Sequence, residues 1–233
     1  MIDKRAASAA RNNAEWCEAM CRAHGLSGAF GARAWTSASR TPVLYPDAVT
    51  LTEDATADDA LDAVSSGPGC SVKDSFATLD LSGVGFQVLF EARWIHREPG
   101  LPAPAAPAGV AWSRLETPGE LAEWAAAWDG GDGLAHLFRP ELLSDPSVAF
   151  LAGRAEGRLT AGAVVSGGGE AAGVSNLFAV DDDLDAAWAG CLSAVADAWP
   201  GVPVVGYEQG DDLAAAVRQG CVPVGPLRVW LAR

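Results

Sequence analysis

Residues 99–109 read Pro-Gly-Leu-Pro-Ala-Pro-Ala-Ala-Pro-Ala-Gly, with four prolines and no charge. Proline fixes φ and has no N–H to give to a helix or a ladder, so this stretch reads as a stiff, extended linker. No helix or strand is expected to run through it. It divides a chain of 233 residues into the pieces 1–98 and 110–233, each short for a full domain. Two small units packed into one body are expected, because either alone has a thin core.

Thirty acidic side chains against sixteen basic ones give a net charge of −14. That balance repels phosphate backbones and anionic lipid, so neither nucleic acid nor membrane is expected as a partner. Residues 109–233 hold 17 acidic and 7 basic side chains, against 13 and 9 in residues 1–108. Only Lys4 and Lys73 are lysines, against fourteen arginines, a bias that reads as genome composition. No apolar run follows the first residues, and none approaches the roughly 18 that span a bilayer. The five cysteines (Cys17, Cys21, Cys70, Cys191, Cys221) are odd in number and form no C-x-x-C. Packing as small hydrophobes in a reducing cytoplasm is expected, with no metal.

The second piece reads clearly. A strand over 110–116 precedes a helix with Thr117 as N-cap, Pro118 at its first position and Glu120 closing a capping box. Leu121, Trp124 and Trp128 mark its buried face. A short helix is expected near 140–143, strands over 148–154 and 159–166 around Glu156-Gly157, and a third over 173–180 after Gly167-Gly-Gly169. A helix over 184–199, a strand over 202–207, a helix over 211–219 closed by Gly220, and a strand over 222–231 complete it.

In the first piece a helix over 6–24 ends at Gly25. Strands are expected over 29–36 and 43–51, and a helix near 57–64. The best strand pattern runs over 84–95, where Val84, Phe86, Val88, Phe90, Ala92 and Trp94 alternate with Gln87, Glu91 and Arg93. The two pieces close alike: a strand, an acid-capped helix after Asp74 or Asp211, a glycine, then a strand carrying Arg and Trp (Arg93-Trp94-Ile-His96-Arg97; Arg228-Val-Trp230-Leu-Ala-Arg233). A two-fold internal repeat is the expectation.

Residues 110–233 resemble the GNAT superfamily of N-acetyltransferases, in element order, in the Gly-rich turn before Val174-Ser-Asn-Leu-Phe-Ala-Val180, and in the tail Val205-Gly-Tyr-Glu208…Gly220-Cys-Val-Pro-Val-Gly-Pro-Leu-Arg-Val-Trp230. Residues 70–97 share the likeness more weakly. The resemblance implies an α/β (α+β) fold: a GNAT-like mixed sheet flanked by helices, in two pseudo-repeated units, the first truncated. It also implies acetyl-CoA as co-substrate and a small-molecule amine as acceptor. The pantetheine arm would lie on the backbone of Leu177, Phe178, Ala179 and Val180, and the pyrophosphate on the N-terminus of the next helix. There the family pattern R/Q-x-x-G-x-G/A corresponds to Leu184-Asp-Ala-Ala187-Trp-Ala189, of which only Ala189 conforms. Asp181, Asp182, Asp183 and Asp185 surround that helix start and compete for its amides. The family's tyrosine acid falls at Ala216. Tyr207 and Glu208 are the nearest substitutes, with Glu208 as base toward the amine.

His24, His96 and His136 share no ligand spacing, and neither a G-x-S-x-G, a P-loop nor a G-x-G-x-x-G occurs. Trp35 and Trp112 sit on irregular segments and are expected to line a pocket between the halves. Three functions follow for the chain: an acyl-CoA-dependent N-acyltransferase, a catalytically degenerate relative that binds a small or CoA-like ligand, and an interaction module using its sheet edges. A homodimer is among the partners considered.

Overall fold

The computed structural model describes residues 3–167 and 170–233. Asp3 caps α1 (Lys4–Ala23) through the Arg5 amide, and Gly25 follows at φ 72°. Then come β1 (Gly28–Phe30), β2 (Ala34–Ser37), β3 (Ala48–Thr50), α2 (Ala57–Leu61), β4 (Ser71–Asp74) and β5 (Phe86–Arg97). Residues 99–109 lead to β6 (Val110–Arg114), α3 (Pro118–Asp129), β7 (Val148–Ala155), β8 (Arg158–Ser166), β9 (Ala172–Ala179), α4 (Leu184–Ala198), β10 (Val204–Glu208), α5 (Gly210–Arg218) and β11 (Val222–Ala232). Both the Thr117–Glu120 capping box and the left-handed pair Glu156-Gly157 form as the sequence predicts.

Both pieces build one sheet. Among the described residues eleven strands run β1-β2-β3-β4-β11-β5-β10-β9-β8-β7-β6. Two neighbours are parallel, β3 with β4 and β9 with β10, joined by the crossover helices α2 and α4. Inward of each parallel pair lies the last strand of the other piece: β11 beside β4, β5 beside β10. The order therefore reads alike from both sides of the β5–β11 pair.

Alternation along the strands sends side chains to two layers. Ala149, Leu151, Val165 and Val174 pack under α4 and α5 with Trp188. Phe150, Ala152 and Val164 face the other way, onto α3 and Trp16 of α1. Trp124 anchors that layer: its Nε1 donates to Leu151 O at 2.9 Å, and Phe138, Phe150 and Phe178 meet its ring edge-on at 5.0–5.2 Å. The helix α1 crosses this face over β5, β10 and β9.

Several local expectations change. The strand over 29–36 is a hairpin, β1 and β2, because Phe30 pairs with Trp35 around a turn at 31–33. Of 43–51 only Ala48–Thr50 is extended; Pro42, Pro46 and Leu44 at φ 73° hold the rest as a loop. The helix after Asp74 does not form. Its carboxylate instead accepts from the Thr78 and Leu79 amides at 3.2 and 2.9 Å, leaving a turn and a 3-10 turn at Ser82–Val84 before Gly85. The alternation of β5 breaks at a register shift opposite Val229–Trp230, and Val88 is exposed. The short helix near 140 is a 3-10 turn, Pro140–Ser144. The turn expected at 167–169 includes Gly168 and Gly169, which lie outside the described residues.

Trp35 and Trp112 are wedged into glycine notches, not set along a pocket. The Trp35 indole fills the space at Gly28 and donates to Glu18 at 2.9 Å. Trp112 lies against Gly153 and Gly190, where a Cβ at Gly153 would sit 2.7 Å from the indole.

Candidate functional site

Where β9 and β10 part, a cleft opens. They pair only at Ala172–Val204 and Gly173–Val205, and both run on without touching, to Ala179 and Glu208. A bulge sharpens the divergence: the β8–β9 register shifts between Gly162 and Val164, and Asn176 takes φ 52° within β9. A bulged residue drops out of the ladder, so backbone near Asn176 and Leu177 faces the opening. The cavity there measures about 340 Å³, within the range of small-ligand sites.

Its walls come from both pieces. Ser175, Asn176 and Leu177 lie on β9, Tyr207 and Glu208 on β10, Asp212 on α5, and Asn13 and Trp16 on α1; Tyr45 and Lys73 close it from the first piece. The helix α1 can lie this close because Gly173 has no Cβ where the Asn12 side chain sits; Asn12 Nδ2 then donates to Ser166 O at 2.9 Å.

Glu208 is the chemically conspicuous group. Burial, with a smaller push from nearby Asp212, raises its pKa to about 8. A carboxylate so placed exchanges protons near neutral pH, as a general base must. Tyr207 packs edge-on against Trp94 at 5.6 Å, and the Lys73 ammonium sits 4.3 Å from its ring centroid. Ala216 is fully buried, packed with Cys221 and Ala215 under α4. No proton donor stands there.

Of the residues expected to bind the acyl-CoA, Leu177 lines the cleft. The Phe178 ring turns away into the Trp124 cluster, the Val180 amide donates to Thr160 O at 2.8 Å, and Val180 is exposed. Ala187 and Ala189 are buried within α4. At the start of α4, Asp183 Oδ1 accepts from the Ala186 amide at 3.0 Å, the Leu184 amide donates to Asp182 O, and Asp185 pairs with Arg218 at 2.8 Å. The amides that would meet a pyrophosphate are thus partly occupied by the chain itself.

Lys73, Tyr45, Asn13, Ser175 and Asp212 were not anticipated. One signal pointed to Lys73: a lone lysine in a short strand of a chain that otherwise uses arginine.

No family model matches the sequence, and no curated protein matches it as a relative. Solved structures do match in shape. A GCN5-related N-acetyltransferase from Kribbella flavida superposes with a TM-score of 0.66 over 96% of this chain and 95% of its own, at 18% identity. The chain has the GNAT fold. A conserved protein of unknown function from Staphylococcus epidermidis gives 0.58 over 71% and 72%, at 12% identity. A Novosphingobium aromaticivorans protein assigned to the GNAT family gives 0.56 over 96% and 99%, also at 12%. The likeness spans both pieces, as the shared sheet requires. The five cysteines are all buried, Cys17 and Cys21 against Trp35 and Val49. Among the described residues no helix is long and apolar enough to cross a membrane.

Proposed function

We propose that this protein transfers an acyl group from a CoA thioester to a small amine in the cleft between β9 and β10. The observation that carries the reading is Glu208, a carboxylate with its pKa raised to about 8 on the wall of that cleft. As the amine nitrogen bonds to the acyl carbon, the carbon–sulfur bond breaks and CoA leaves as thiolate. Glu208 takes the proton that the nitrogen sheds and passes it on to the thiolate or to solvent. The bulge at Asn176 and Leu177 supports this reading, since backbone freed from the ladder can receive the acyl carbonyl and the pantetheine arm. The symmetric strand order supports a tandem of two related units, the first shortened and the two divided at 99–109. Under this reading acetyl-CoA is the co-substrate.

A second reading has its own observation. Asp183 and Asp182 occupy amides at the start of α4, and Asp181 adds charge beside them. Carboxylates there repel a pyrophosphate, which favours a relative that has lost catalysis and binds a smaller ligand. Calorimetric titration with acetyl-CoA, followed by turnover against a panel of amines, separates the two. Heat and turnover that disappears in Glu208→Gln are expected; no heat at millimolar acetyl-CoA sinks the transferase.

A further inference from the structure

Lys73 is 4% exposed, yet among the described residues no carboxylate pairs with its ammonium. Its neighbours are neutral: Asn13 Oδ1 accepts from Nζ at 2.7 Å, and the Tyr207 ring lies beneath. In a chain of net charge −14 a counter-ion would be easy to supply. Burying an ammonium without one is costly, and such a group calls for a partner. Two further polar atoms on the same walls, Tyr45 Oη and Ser175 Oγ, are buried with no hydrogen-bond partner among the described residues. Burial holds the Tyr45 phenol well above its ordinary range, so it stays a neutral donor.

Lys73 and Tyr45 also line a second cavity, of about 480 Å³, that adjoins the first. Its other walls are mostly apolar, including Pro42, Val43, Leu89, Phe90, Val229 and Leu231; Arg40, Thr41 and Ser71 also line it, the Arg40 charge being paired with Asp47. The loop between them is fixed from below: Asp47, 2% exposed, accepts from the amides of Thr41 and Ser71 at 3.0 Å and from Arg40 at 2.7 Å. The Thr41 hydroxyl then donates to Tyr45 O at 2.7 Å.

We infer that the acceptor is a carboxylate-bearing amine with an apolar side group, an apolar α-amino acid in its simplest form. Its carboxylate accepts from Lys73 and Tyr45, its side group enters the second cavity, and its amine turns toward Glu208 and Asp212. The cleft is polarised in this sense, one buried cation from the first piece facing two acids from the second. A single ammonium matches one carboxylate charge, whereas a doubly charged phosphate would be left in excess opposite those acids. The amine's orientation rests on the acyl transfer proposed above; recognition of the carboxylate does not.

The test is calorimetry on the whole protein with L-phenylalanine and L-leucine, against 2-phenylethylamine, which lacks the carboxylate, and 3-phenylpropanoate, which lacks the amine. The amino acids are expected to bind at least about tenfold more tightly than 2-phenylethylamine. Lys73→Met, apolar and of similar volume, should erase that margin, and Lys73→Arg should retain most of it. Equal affinity for phenylalanine and 2-phenylethylamine overturns the inference on the wild-type protein alone. So do an unchanged margin in Lys73→Met and an absence of binding by either amino acid. Selective amino-acid binding without acetyl-CoA heat supports the recognition while removing the transferase.

Discussion

The sheet holds two parallel pairs, and the two do different things with the same topology. Each is held by two residue pairs: Ala48–Val72 and Val49–Lys73 in β3/β4, Ala172–Val204 and Gly173–Val205 in β9/β10. The crossover helix differs sharply. After β9 comes a fifteen-residue helix, long enough for a packed face under the sheet; after β3 comes a five-residue turn of helix. The chemistry divides likewise. The cleft beyond β9/β10 carries Glu208 and Asp212, and β4 of the first pair contributes Lys73 to it. Topology makes the gap between β9 and β10; side chains from both halves of the sheet give it a polarity that neither half has alone.

The sharpest way to break this comparison is at Glu208. Glu208→Gln keeps size and polarity and removes the base. Turnover should fall about 10²–10⁴-fold with ligand affinity little changed. The wild-type rate should rise through pH 8 as the carboxylate ionises, and the variant should lack that limb. Stability should move the opposite way. A folded pKa of about 8 against an ordinary value near 4.5 means the protonated form is favoured by folding. That contribution is complete below about pH 4.5 and is lost as pH rises through 8. Relative to the wild type, Glu208→Gln should therefore gain melting temperature between pH 5 and 9. A rate profile flat across pH 7–9 would remove Glu208 from the chemistry and return it to the wall of a binding pocket.

A second test asks whether the two parallel pairs belong to one body. Trp124, under the second, and Trp35, beside the first, are both fully buried. Truncating either to alanine should cost about 3–5 kcal/mol. Because β5 and β11 are exchanged across the middle of the sheet, both losses should appear in one cooperative urea transition. Two transitions, each sensitive to a single tryptophan, would mean that the halves unfold separately.

That exchange marks where the sequence stopped being informative. Capping boxes, the Glu156-Gly157 turn and the order of elements after residue 110 are local, and local chemistry encodes them. Insertion of β5 between β10 and β11 depends on partners more than a hundred residues away, which no period of two or 3.6 can show. The position of Tyr207 and Glu208 on the cleft wall was legible because they end a recognisable strand. Lys73 and Tyr45 were not, since they reach the cleft only when the first piece folds against the second. The turn after Asp74 was misjudged for a related reason: an aspartate that caps a helix also closes a turn, and tertiary packing decides between them.

The finest distinction concerns the start of α4, where fold and charge disagree. Asp183→Gly removes the carboxylate that holds the Ala186 amide, while glycine still serves as an N-cap at a cost of only a few tenths of a kcal/mol. If a pyrophosphate binds there, the variant frees one N–H and removes one negative charge, and acetyl-CoA should bind several-fold more tightly. Asp185→Asn is the control, because Asp185 is engaged with Arg218 on the surface and an exposed pair of that kind contributes little. Its acetyl-CoA affinity should rise less than that of Asp183→Gly. Equal affinity in the wild type and Asp183→Gly would show that the start of α4 is only an acidic cap, so that whatever enters the cleft is held by the bulge of β9 and the walls beyond it.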